Sequence, residues 1–127
     1  MNRDLARELR DRHPAVLAHV ALQCGNGSWD LIDLLCHQLE EQAERAGLAP
    51  PRALCVKQKF GGLRFYTDRS SDLYFALIKM AEAMSCRLCE DCGHAGAPRP
   101  GSGVFTLCQA CFDQFRKNDR MRHKIDH

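Results

Sequence analysis

No stretch of this chain approaches the roughly 18 apolar residues that a membrane-spanning helix needs. Its opening residues, MNRDLARELRDRHP, are charged and hold no apolar segment of the kind a secretory leader carries. Both absences point to a reducing cytoplasm, where thiols stay buried or bound to metal rather than paired as disulfides. Net charge is scant too, since 18 Lys and Arg stand against 16 Asp and Glu. The chain is therefore no bulk polyelectrolyte, and any contact with nucleic acid has to come from a local patch.

Cysteine, by contrast, is plentiful: eight residues in 127. Four of them form two Cys-x-x-Cys pairs, Cys89/Cys92 and Cys108/Cys111, with fifteen residues between the pairs. This is the spacing of a structural zinc site, because two intervening residues let one tight turn aim both thiolates at one ion. Gly93 follows the first pair, where such a turn needs a residue tolerant of positive φ. Gly96, Pro98, Pro100, Gly101 and Gly103 suit a loop or short hairpin, and after Cys111 the pattern turns helical, with Phe112 and Phe115 on one face. The competing readings are reduced core cysteines or disulfides, and Cys86 or His94 are alternative donors for one ligand position. One Zn²⁺ per chain on four thiolates would bring the net charge close to zero and leave no open coordination position for chemistry.

Catalytic constellations are missing around this cassette. A zinc deaminase needs His-x-Glu ahead of Pro-Cys-x-x-Cys; here Ala95 and Gly96 follow His94, and Leu107 stands in the proline position. A His-Asn-His nuclease finds only His94 between the pairs, while His123 and His127 lie at the far C-terminus. Cys24, Cys36 and Cys55 have no local partner that would activate a nucleophile. The expectation is a protein that is not an enzyme.

Along the chain, Leu5, Ala6 and Leu9 predict a helix over residues 3–12, and Ala15–Gln23 reads as a second apolar helix containing His19. Cys24-Gly25-Asn26-Gly27 is a break. Ser28 then caps a helix from about Trp29 to Ala46, stopped by Gly47, with Leu31, Ile32, Leu35, Leu39, Ala43 and Ala46 as its buried stripe. Residues 53–67 predict a β-hairpin turning at Gly61-Gly62, with Leu54, Val56 and Phe60 alternating against Lys57 and Lys59. Arg64 and Tyr66 would join Lys57 and Lys59 on an exposed basic, aromatic face suited to phosphates and bases, or simply to solvent. Ser70 or Ser71 caps a helix over about Asp72–Ser85, with Leu73, Leu77, Met80, Ala81 and Met84 inward. Arg116, Lys117, Arg120 and Arg122 mark a basic helix end that frays into a tail.

The expected fold is α+β: helices on a small β-hairpin or sheet, with a C-terminal Cys₄ treble-clef or zinc-ribbon unit. Residues 1–127 read as one domain, comprising an α/β body (1–85), an integrated zinc-binding unit (86–115) and a basic tail (116–127).

The run Val56-Lys57-Gln58-Lys59-Phe60-Gly61-Gly62-Leu63-Arg64-Phe65-Tyr66, then Met80-Ala81-Glu82-Ala83-Met84-Ser85, then Cys89-Glu90-Asp91-Cys92-Gly93 resembles a family of small proteins from bacterial, prophage and phage genomes. The likeness covers about residues 25–112, including the segment from Gly27 to Leu39, where Ser28 falls between Gly27 and Trp29. It brings no function of its own. Its mobile-element setting implies a protein acting on a host complex, such as an inhibitor of a bacterial defence system (an anti-CRISPR among them). The function expected is a non-enzymatic, zinc-stabilised protein docking on a host protein or nucleoprotein complex, with direct DNA or RNA binding by a zinc-ribbon regulator as the alternative. The candidate contacts are Lys57, Lys59, Arg64, Tyr66, Arg116, Lys117, Arg120 and Arg122.

Overall fold

A computed structural model describes residues 1–100 and 104–125, with side chains of the last helix described as far as Met121. The first helix, α1 (Arg3–Arg12), starts at Asn2, whose side chain accepts the Leu5 N–H at 2.9 Å. Pro14 opens one further turn, α2 (Pro14–Leu17), and there the expected second helix ends. Val20, Leu22 and Cys24 are buried at every second position, the period of a strand, and β1 (Leu22–Gln23) pairs in parallel with β2 (Ala53–Lys59). The exposed His19 lies on the connection between α2 and β1.

Helix α3 (Trp29–Arg45) buries Leu31, Ile32, Leu35, Cys36, Leu39 and Ala43 as its core stripe. Ala46, expected in that stripe, lies past the last turn and is exposed. Ser28 precedes the helix without capping it; its hydroxyl donates to Gln58 Oε1 at 3.5 Å instead. The Trp29 indole N–H donates to the Leu5 carbonyl at 3.1 Å and ties α3 to α1.

β2 and β3 (Gly62–Thr67) form the predicted hairpin, and the sheet order is β1-β2-β3. Lys59 pairs with Gly62, so the turn is Phe60-Gly61, one residue earlier than expected, with φ of 53° and 77°. Positive φ at both central positions defines a turn that favours Asn-Gly. Left-handed backbone at a residue with a Cβ costs about 1–2 kcal/mol. Phe60 is also 73% exposed rather than inward-facing. A register shift between Ala53 and Cys55 leaves Leu54 outside as well, while Val56, Leu63 and Phe65 fill the core. Each of those three buried side chains contributes about 1.5–3 kcal/mol.

Helix α4 (Asp72–Ser85) is capped by the Ser71 hydroxyl, which accepts the Tyr74 N–H at 3.1 Å. It lies along the free edge of β3, where the Phe65 N–H donates to Glu82 Oε2 at 3.0 Å and the Leu63 N–H to Ser85 Oγ at 2.8 Å. Those two backbone donors would otherwise be buried unpaired. Turning Glu82 and Ser85 to the strand rotates the helix from its expected setting. Ile78 and Ala81 are buried, Leu77 is half-buried, and Leu73, Met80 and Met84 are exposed. Leu77, Met80 and Met84 instead line a shallow apolar groove of about 100 Å³ against Leu31, Leu34 and Leu35 of α3.

After α4 the chain makes a tight turn around Cys89–Gly93. A short hairpin of β4 (Ala97–Arg99) and β5 (Phe105–Leu107) follows, and then α5 (Gln109–Ile125). The basic segment beyond residue 115 is thus helical through Ile125. No helix among the described residues is long and apolar enough to cross a membrane.

Candidate metal centre and basic hairpin face

The two Cys-x-x-Cys pairs meet. The sulfurs of Cys89, Cys92, Cys108 and Cys111 all lie within 4.8 Å of one another, an arrangement that can hold a metal ion. Cys89 is buried, Cys92 is exposed, and Cys108 and Cys111 are half-buried. Gly93 has φ 81°, and its N–H donates to the Cys89 carbonyl at 2.9 Å, closing the first turn. Cys108 stands just before α5, where its sulfur accepts the Cys111 N–H at 3.4 Å. That backbone hydrogen bond, with those from neighbouring thiols, pulls the Cys108 thiol down to about 7. Cys111, hydrogen-bonded to Cys108, is pushed up in turn. Four thiols this close share protons unless a cation replaces them.

The two alternative donors stand outside this group. Cys86 Sγ faces the Glu82 carbonyl at 3.7 Å, beside Gly62 of the hairpin. His94 Nδ1 lies 3.3 Å from Cys92 Sγ, within hydrogen-bonding reach of a ligand sulfur.

The centre is fastened to the body chiefly through Glu90. Its N–H donates to the Thr106 carbonyl at 2.9 Å, and its Oε2 accepts the Thr106 N–H at 2.6 Å. Its carbonyl accepts the Gly27 N–H at 2.8 Å. Burial pushes the Glu90 carboxyl up. The segment from Gly25 to Gly27, legible in the sequence only as a break, presses its backbone against this turn. A Cβ on Gly25 would fall on the Glu90 carbonyl, and one on Gly27 on the Cys89 carbonyl. The buried Thr106 hydroxyl donates to the Gly61 carbonyl at 2.7 Å, so β5 also holds the tip of the larger hairpin.

On that hairpin, Lys57 pairs directly with Arg64 and Cys55 with Tyr66. Alternation therefore puts Lys57, Lys59, Arg64 and Tyr66 on one face, opposite Val56, Leu63 and Phe65. Among the described residues no carboxylate forms an ion pair with Lys57, Lys59 or Arg64. Lys59 Nζ sits 5.5 Å from the centre of the Phe60 ring. The second basic group lies on a different element. Arg116, Lys117 and Arg120 are exposed on α5, with Arg99 and Arg116 over the Phe112 ring at 5.4 and 5.5 Å. The Arg122 side chain lies outside the described residues, as do those of His123 and His127.

The remaining cysteines stay apart. Cys24 and Cys36 are buried, and burial pushes both thiols up, Cys24 to about 11, which leaves them protonated. No protein-family model, curated protein or solved structure matches this chain.

Proposed function

We propose that this chain is a zinc-stapled binding protein that does no chemistry of its own and docks, through the basic hairpin face, on a host nucleoprotein complex. Zinc is the metal favoured by the donor set. A tetrahedron with Zn–S near 2.3 Å has S···S edges of about 3.8 Å, against 3.6 Å between Cys92 and Cys108 and at most 4.8 Å within the group. Knuckle, short hairpin and helix-borne second pair fit a treble clef or zinc ribbon. With all four positions filled by thiolates, the ion holds the fold and offers substrate no site. The likeness to prophage and phage proteins supplies the setting, an inhibitor of a host defence machine such as an anti-CRISPR.

The observation that carries the docking surface is the Lys57–Arg64 pair. Like charges directly opposite across a hairpin destabilise it by a few tenths of a kcal/mol to about 1 kcal/mol, and no carboxylate among the described residues pairs with either of these two. A polyanion would. The alternative regulator reading rests on the same face, since a zinc ribbon that binds DNA or RNA directly would also use it.

Reversing both charges, Lys57→Glu with Arg64→Glu, swaps one like pair for another. It is expected to leave Tm unchanged while abolishing capture of host nucleoprotein on the immobilised protein. Lys57→Glu alone creates an opposite pair and should raise Tm slightly. Undiminished capture by the double variant would move the docking surface elsewhere. Native mass spectrometry is expected to find one zinc per chain.

A further inference from the structure

Two bulky residues of this chain hold left-handed backbone, and they sit side by side. Phe60 has φ 53° and Val104 has φ 65°. The Val104 carbonyl and side chain both come within contact distance of the position a Cβ on Gly61 would take. Left-handed backbone is a genuine outlier for a β-branched residue and uncommon for phenylalanine. Neither side chain is repaid by burial, since Phe60 is 73% and Val104 49% exposed. Strain of this kind persists only where surroundings enforce it, and it clusters at binding sites. Here the two-residue connection between the paired Lys59 and Gly62 imposes the conformation at Phe60, and the Thr106 hydroxyl bond to the Gly61 carbonyl holds the turn against β5. The result is an aromatic ring held out in solvent at the tip of the basic face, with the Lys59 ammonium over it.

We infer that Phe60 is a stacking wedge for an unpaired base, and that the partner's nucleic acid is met as a single strand. This rests on the docking face proposed above and names its ligand. A flat π-surface beside repeating phosphates is what an exposed ring flanked by Lys57, Lys59 and Arg64 complements. Tyr66, half-exposed on the same face, offers a second platform about 13 Å along the strand from the turn. A protein pocket that swallowed Phe60 would take the ring but leave three unneutralised cations at its rim.

Phe60→Asn separates the two demands on this position, because Asn-Gly is the preferred sequence for the turn. Binding of a fluorescein-labelled oligothymidylate of about 16 nucleotides, followed by anisotropy, gives the readout. Phe60→Asn is expected to raise Tm while weakening the oligonucleotide about tenfold or more, with the salt dependence unchanged. Phe60→Trp should retain wild-type affinity. Lys57→Glu with Arg64→Glu should instead flatten the slope of log K against log salt by about 1 or more. If Phe60→Asn binds as tightly as wild type while the charge variant does not, the wedge is refuted and the docking face stands. If both bind as tightly as wild type, both readings fall. Failure of the wild-type chain to bind the strand, or equal affinity for a duplex of the same length, also overturns the inference.

Discussion

His13 is buried between two carboxylates, with Nδ1 2.7 Å from Glu40 and Nε2 2.6 Å from Asp33, and the Arg12 guanidinium reaches the same Asp33 at 2.9 Å. Both ring nitrogens face acceptors, so both contacts are hydrogen bonds only when each nitrogen carries a proton. Partial burial by itself would raise the Asp33 carboxyl, but the hydrogen bonds and charges of Arg12 and His13 outweigh it and hold it below its ordinary 3.8. A carboxyl lowered by folding adds stability above its unfolded value, and that contribution is lost as pH falls through the folded value. Asp33→Asn is therefore expected to lower the urea midpoint at neutral pH and to flatten its decline as pH falls through and below the ordinary 3.8 of a free Asp. An acid limb as steep as wild type would show that this cluster adds nothing to acid sensitivity. None of the cluster is legible in the chain, because the partners of His13 lie 20 and 27 residues away. The neighbouring helix is legible, since Leu5, Ala6 and Leu9 are local in sequence.

Elements whose pattern is local come out as expected, and those shaped by a distant neighbour do not. The hairpin and α3 follow from alternation and from a long apolar stripe. The setting of α4 does not, because Glu82 and Ser85 read as surface residues until the bare edge of β3 claims them. β1 is hidden for a similar reason, since two residues beside a parallel partner leave little periodicity to read. The Gly25–Gly27 segment gives the sharpest test at this scale. Gly27→Ala would drive a methyl into the Cys89 carbonyl and the Gly93 amide, backbone atoms that cannot swing aside. The expected loss is about 3–4 kcal/mol, at the severe end for one substitution. Gly47→Ala, with φ 68° but open space around it, should cost only about 1–2 kcal/mol. Thermal denaturation of the two variants side by side decides whether close approach, rather than backbone conformation, makes Gly27 irreplaceable.

For the molecule as a whole, the four-cysteine cluster was the most legible feature, because cysteine spacing encodes a geometry directly. What spacing could not convey is how firmly that cassette grips the body through Glu90, Thr106 and Gly27. Chelation, or Cys108→Ser, is accordingly expected to lower Tm for the entire chain and to expose the amides of Gly27 and Thr106, both bonded to Glu90, to hydrogen exchange. Local loosening confined to residues past 88 would show that the two parts fold independently. The coverage of β3 by α4 has an effect of another kind. One flank of the sheet is occupied by a carboxylate and a hydroxyl, and the other ends in a strand of two residues. Neither flank can template strand addition from a neighbouring copy. At high concentration the native protein should therefore resist fibrillar self-association, despite carrying a hairpin rich in β-forming residues.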